Sequence, residues 1–157
     1  MFPKRKIRSK TPMDYALRVL TRKDYFESEM RDKITEHFGR EQADETIERL
    51  KEYGYVDDVK CRELLIVSRL RNGYGVFRIQ QELKEKGADD DLTDIDDIAL
   101  RHHVDREAVM TDAVRRFLEN KKAETPYELK QKCIAHFYRK GHPFRDIEKI
   151  IDRELEK

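Results

Sequence analysis

The chain has 157 residues, 43% of them charged and 38% hydrophobic, with 34 Lys+Arg balanced against 33 Asp+Glu. Ordinary domains carry about 25% charged and 45–50% apolar residues, so one large core is excluded and thin cores under much solvated surface are expected. With 6 Gly and 4 Pro the chain is neither a turn-built β protein nor a low-complexity linker. No run reaches the roughly 18 apolar residues of a membrane span, and the start Met1-Phe2-Pro3-Lys4-Arg5 lacks a signal peptide's apolar stretch. A soluble, cytoplasmic protein is expected.

Residues 1–13 hold Lys4, Arg5, Lys6, Arg8 and Lys10 with no acid and read as a flexible basic arm. Thr11-Pro12-Met13-Asp14 then starts a helix with a capping hydroxyl, a proline whose missing N–H costs nothing there, and an acid in the first turn. Ala16, Leu17 and Leu20 line one face of it. Phe26, Met30 and Ile34, ending at Phe38-Gly39, mark a second helix, and Ala43, Ile47 and Leu50 a third. Asp57 and Asp58 stand where a helix N-terminus needs acceptors, ahead of Cys61, Leu64 and Leu65, and Asn72-Gly73 stops that helix. Gly75, Ile79 and Leu83 follow, stopped at Gly87, and then Ile95, Ile98 and Ala99. Asp105 caps a helix bearing Val109, Ala113 and Phe117. Thr125-Pro126-Tyr127-Glu128 repeats the first start signal, ahead of Leu129, Cys133 and Phe137. Phe144, Ile147, Ile150 and Ile151 close the series after Gly141.

These stripes align as an internal repeat. Phe26, Met30 and Ile34 correspond to Gly75, Ile79 and Leu83, and these to Leu129, Cys133 and Phe137, each set followed by a glycine. The sequence therefore predicts an all-α fold of three tandem three-helix repeats, over 14–56, 57–104 and 105–157. A unit of about 50 residues buries little surface and is marginal alone, so the repeats should stack as an elongated, curved array suited to a long partner.

The near-neutral charge is segregated along the chain. Residues 14–58 are net acidic, 59–88 net basic, 89–98 hold six Asp and no base, and 105–157 are mildly basic. Cys61 and Cys133 are far apart with no CxxC and read as small apolar helix residues. His37, His102, His103, His136 and His142 show no ligand spacing, so no metal or other cofactor is expected. Phosphate-loop, nucleophile-elbow and zinc-hydrolase signatures are absent, which disfavours an enzyme.

The stretch from Tyr53 to Gly87 is the most distinctive: Gly54-Tyr55-Val56-Asp57-Asp58, Cys61, Leu64-Leu65, Arg69, Asn72-Gly73-Tyr74-Gly75, then Arg78-Ile79-Gln80-Gln81-Glu82-Leu83-Lys84-Glu85-Lys86-Gly87. It resembles the RecX family of bacterial recombinase regulators, with support from Tyr15-Ala16-Leu17, Leu20 and Arg22. The sequence departs from the family pattern at Phe26, where a Ser or Thr cap is usual and Ser28 offers a later one, at Cys61 in place of Ala, and in the acidic run Asp89–Asp97. The resemblance implies three tandem three-helix modules and a non-enzymatic, monomeric protein. Such a protein binds the RecA recombinase filament, restraining its ATP hydrolysis, strand exchange and co-protease activity in DNA repair and the SOS response, with DNA as a weaker second contact.

Within this frame the candidate binding residues are Arg62, Arg69, Arg71, Arg78, Lys84 and Lys86 around the Gly73-Tyr74-Gly75 turn, with Lys132, Arg139 and Lys140 as a second cluster beside Lys130, Arg145, Tyr138 and Phe144. Arg62 and Arg69 share a helical face, whereas Arg71 diverges from Arg69 by about 200°. Lys84 and Lys86 equally suit a helix C-terminus, where cations favour the dipole. Tyr74 is either an exposed stacking residue or a plug between helices. Asp57, Asp58, Gly73, Gly75 and Gly87 read as structural. Two functional classes stay open on the residues alone: a RecA-binding regulator, or a helical module acting directly on single- or double-stranded DNA.

Overall fold

The computed structural model describes residues 9–157. Lys4, Arg5, Lys6 and Arg8 of the expected basic arm lie outside the described residues. Among those described there are nine helices and no strand: α1 (Pro12–Leu20), α2 (Glu27–Phe38), α3 (Arg40–Glu52), α4 (Asp58–Arg71), α5 (Val76–Glu85), α6 (Ile95–Arg101), α7 (Arg106–Asn120), α8 (Pro126–Arg139) and α9 (Phe144–Leu155). The all-α repeat pattern expected from the stripes is what the chain forms. Its contacts define two compact units, one comprising the chain up to Arg62 with Lys86–Ala88, the other Glu63–Glu85 with Asp89–Lys157.

In the first unit, α1, α2 and α3 pack on one another around Ala16, Met30, Ile34, Ala43, Ile47, Leu50 and Val56. Fully burying such a Met, Ile or Leu contributes about 1.5–3 kcal/mol. Thr11 caps α1 by accepting the Asp14 N–H at 3.1 Å. The start of α2 is built differently. Phe26 sits at the capping position with no oxygen to offer, and the Asp58 carboxylate, from the first turn of α4, accepts the Glu27 N–H at 2.7 Å. Glu29 reaches back to accept the Phe26 N–H at 3.3 Å. Ser28 does not cap a later start: its hydroxyl donates to the Lys86 carbonyl at 2.5 Å, and the Lys86 ammonium pairs with Glu29 at 3.0 Å. The Asp pair thus divides its work, Asp57 accepting the Lys60 N–H of its own helix at 3.2 Å while Asp58 serves α2.

In the second unit, α7, α8 and α9 pack together around Met110, Val114, Cys133, Ile134, Phe137, Ile147, Ile150 and Ile151. Thr125 and Asp105 cap α8 and α7 by accepting the Glu128 and Ala108 N–H groups. The α7 stripe is displaced by one position from the expected one: Met110 and Val114 are buried, and Val109, Ala113 and Phe117 flank them half-buried. Along α4 the expected Leu64 is 44% exposed and Leu65 half-buried, while Ile66, Val67 and Leu70 are buried. Leu64 to Val67 is a continuous apolar run, so periodicity does not select its inner face. Phe144 is likewise 49% exposed, in contrast to Ile147, Ile150 and Ile151 behind it.

Helices α4 and α6 are tied by Glu63, which takes Arg101 and His102 at 2.8 Å each. Those two hydrogen bonds hold its carboxyl below the usual range. The acidic stretch before α6 folds on itself, the Asp89 and Asp91 carboxylates accepting the N–H groups two residues on, as Asx turns do. Cys61 and Cys133 are buried free thiols, with burial raising them to about 11 and about 12. Both stay protonated at neutral pH and pack as apolar residues.

Candidate interaction site

The turns after α4 and after α8 have the same local design. Each ends in a glycine of positive φ, Gly73 at 76° and Gly141 at 95°. The N–H of each glycine returns to a carbonyl in the last turn, and the N–H of the next residue to the carbonyl one position further back: Gly73 to Leu70, Tyr74 to Arg69, Gly141 to Tyr138 and His142 to Phe137. This is the Schellman arrangement that glycine permits without steric cost.

The two turns are then joined backbone to backbone. Gly75 N–H donates to the Lys140 carbonyl at 2.9 Å, and Phe77 N–H to the Gly141 carbonyl at 3.0 Å. Donors that the first turn of α5 cannot satisfy internally meet acceptors that the last turn of α8 cannot. The His142 ring adds Nε2 against the Gly73 carbonyl at 2.7 Å. A side chain on Gly75 would overlap the Gly141 backbone, and one on Gly141 would overlap Arg78. Gly75 therefore serves close approach, whereas Gly73 serves a positive φ.

This joint gathers part of the expected site around Tyr74. Three cations lie over the half-buried Tyr74 ring: Lys140 at 5.1 Å, Arg78 at 5.6 Å and Arg69 at 6.0 Å from its centroid. Each is worth about 0.5–1 kcal/mol at an exposed site. A single carboxylate, Glu82, mostly buried on α5, accepts Arg69 Nε at 2.8 and 3.0 Å and Arg78 Nε at 3.1 Å. Both arginines are held through Nε, which leaves their four terminal amino groups without a partner among the described residues. Three cations and one acid leave the cluster net positive, and the free guanidinium ends have the planar fork that pairs with a carboxylate or phosphate.

The remaining candidates lie elsewhere. Arg71 donates to the His102 carbonyl at 3.2 Å. Lys84 pairs with Asp90 at 3.5 Å and Lys86 with Glu29, so both close the end of α5 on nearby acids. Arg62 is half-buried on α4. Lys132 pairs with Glu128 and Lys130 with Asp152 at 2.7 Å. Arg139 and Arg145 are exposed, as are Tyr138 and Phe144. Gly87 ends α5 at φ 66°. Glu82, Gly141 and His142 complete the cluster although no sequence motif marks them as site residues. The Arg78–Glu82 spacing of four was a signal that was there to be read. Among the described residues no cluster of His, Cys, Asp and Glu is fit to hold a metal ion, and no helix is long and apolar enough to cross a membrane.

A helical-repeat protein with a cationic cluster centred on an aromatic ring is the class that this fold and site define. Residues 13–50 match the family description of the RecX first three-helix domain. The regulatory protein RecX of Haemophilus influenzae strain PittEE is 31% identical over 142 residues, covering 89% of this chain and 91% of its own. RecX of Legionella pneumophila strain Corby is 40% identical over 80 residues, 50% of this chain and 53% of that one. The crystal structure of RecX from Lactobacillus salivarius superposes with a TM-score of 0.70 at 18% identity, over 90% of this chain and 93% of that one. The chain belongs to the RecX family of regulatory proteins.

Proposed function

We propose that this chain binds the RecA recombinase filament in the cytoplasm and restrains its ATP hydrolysis, strand exchange and co-protease activity as a monomeric, non-enzymatic regulator. The observation that carries this reading is the Tyr74 cluster. Arg69 and Arg78 are fixed by Glu82 through Nε only, so their outer edges are pre-arranged for acidic groups of a partner at little further cost in side-chain entropy. The repeats over 14–56, 57–104 and 105–157 act as successive modules that touch successive subunits of one filament, each contact raising the effective concentration of the next. Family membership supports the regulatory role, and the joint between the α4 and α8 turns gives the contact residues a rigid base.

The test is the ATPase rate of RecA on single-stranded DNA. Substoichiometric amounts of this protein should lower it. An unchanged rate even at molar excess would remove the regulator reading.

A further inference from the structure

Among the described residues of the first unit, the large hydrophobic side chains left exposed all fall within one short stretch: Tyr53 at 64%, Tyr55 at 53% and Val59 at 76%. The turn after α3 places them there. Tyr53 closes the helix, Gly54 takes a φ of 73°, and the Tyr55 and Val56 N–H groups both return to the Leu50 carbonyl, at 2.9 and 3.4 Å. Val56 is thereby drawn into the core, and its neighbours Tyr55 and Asp57 stay outside. The Tyr53 and Tyr55 rings stand 6.3 Å apart with their planes tilted by 56°. Tyr25 is covered by Lys23 and Lys33, and Tyr74 by three cations, but no cation among the described residues covers this pair.

The surface beside the two rings is acidic. Residues 40–59 hold seven acids and three bases. On α3, Glu41, Glu45, Glu48 and Glu52 recur at spacings of four, three and four and so share one face, opposite the buried Ala43, Ile47 and Leu50. Glu41, Glu45 and Glu52 have no ion-pair partner among the described residues. Like charges at these spacings repel, and Glu52 stands in the last turn, where the helix dipole disfavours an acid. The stripe therefore costs α3 stability with no return inside the unit. Lys51 and Lys60, which flank the turn, are paired with Glu27 and Asp24.

We infer that the Tyr53–Tyr55 turn is a docking surface for an arginine-bearing segment of a partner protein, with guanidinium planes against the two rings and their edges on Glu52 and the α3 stripe. Rings without a cation, beside carboxylates without a partner, are served together by one side chain: the guanidinium stacks through its face and donates through its edge. An apolar partner would cover the rings and leave the acids unanswered, and a polyanion would be repelled. The other acidic segment, Asp89–Asp97, has no aromatic residue, and its Asp90 and Asp96 are already paired with Lys84 and Arg106. The surface goes beyond the filament contact proposed at Tyr74: it shares no residue with that cluster and calls for the opposite charge.

The test is fluorescence anisotropy of a labelled oligoarginine peptide titrated with the full chain at low ionic strength, where surface charge is least screened. An oligolysine of the same length, equal in charge but without a plane to stack, should bind at least about threefold more weakly. Tyr53→Ser combined with Tyr55→Ser should weaken oligoarginine binding at least about fivefold and bring the two peptides within about twofold of each other. Glu45→Gln combined with Glu52→Gln should weaken both peptides about threefold. Tyr127→Ser, at a still more exposed tyrosine on α8, should stay within about twofold, and circular dichroism should show unchanged helicity in all variants. Absence of oligoarginine binding, equal affinity in wild type and the tyrosine variant, or an oligolysine that binds as tightly as oligoarginine overturns the assignment. So does a molar mass by light scattering that doubles for wild type and returns to one chain in the tyrosine variant, which would give the surface to a second copy of this chain.

Discussion

Two groups of basic residues look alike in the sequence and are used in opposite ways. In the first unit, Lys86 is consumed by Glu29 while its carbonyl takes the Ser28 hydroxyl, so its charge closes a local structure. At the Tyr74 cluster in the second unit, two arginines share one carboxylate through Nε and keep their outer ends free, with Lys140 beside them over the ring. How many cations one acid must serve, and not the local density of Lys and Arg, distinguishes the two groups. A run such as Lys84-Glu85-Lys86 carries no sign of which it is, because the decisive partner, Glu29, is 57 residues away.

The contrast is broken most severely through the joint beneath the second cluster. Gly75→Ala places a methyl group into the Gly141 backbone, which has no flexible side chain to yield. Loss of at least about 3 kcal/mol of unfolding free energy is expected, at the upper end for overpacking, together with loss of RecA inhibition, measured by urea denaturation and by the ATPase assay. Asp58→Ala removes the cap that α4 supplies to α2 and should cost about 1 kcal/mol, read as a lower urea midpoint with an unchanged slope. Inhibition per folded molecule should be unaffected, which separates the first region from the second. Lys86→Ala removes a partly exposed pair and should cost less than about 1 kcal/mol in the same denaturation experiment.

The smallest effect is a pH dependence at the joint. Burial is the largest influence on His142 and holds its pKa below the ordinary 6.5, outweighing the Gly73 carbonyl, which acts the other way. The unfolded chain therefore takes up a proton that the folded chain resists, so stability should decline as pH falls below about 6.5 and level off above it. His142→Gln, which keeps a donor for the carbonyl, should reduce that decline in urea midpoints taken across the range. His136 is shifted in the same direction and accounts for part of what remains.

The parts of the fold that depend on short-range chemistry were legible before the structure. Thr11, Thr125, Asp105 and Asp57 cap within three residues of themselves, and the glycine stops follow from the positive φ that a helix end demands. The inner face of α4 was not legible, because four consecutive apolar residues satisfy any stripe. The Phe26 departure has its explanation only in three dimensions, where Asp58, 31 residues beyond Glu27, supplies the missing acceptor. At the candidate site, Arg69, Tyr74, Arg78 and Lys140 were all named from sequence, but nothing in it joins Lys140 to the other three. That link is made by backbone hydrogen bonds between two turns that side-chain patterning does not encode.

The central claim, that the cluster at Tyr74 and not the end of α5 carries the contact, is tested most directly by one titration. The protein concentration that halves RecA ATPase on single-stranded DNA is compared for wild type, for Arg69→Ala with Arg78→Ala, and for Lys84→Ala with Lys86→Ala, at matched helicity. The account predicts a rise of at least about tenfold for the arginine pair, about 1.4 kcal/mol, and less than about twofold for the lysine pair. An arginine pair that inhibits like wild type, or a lysine pair that fails to inhibit, would contradict it.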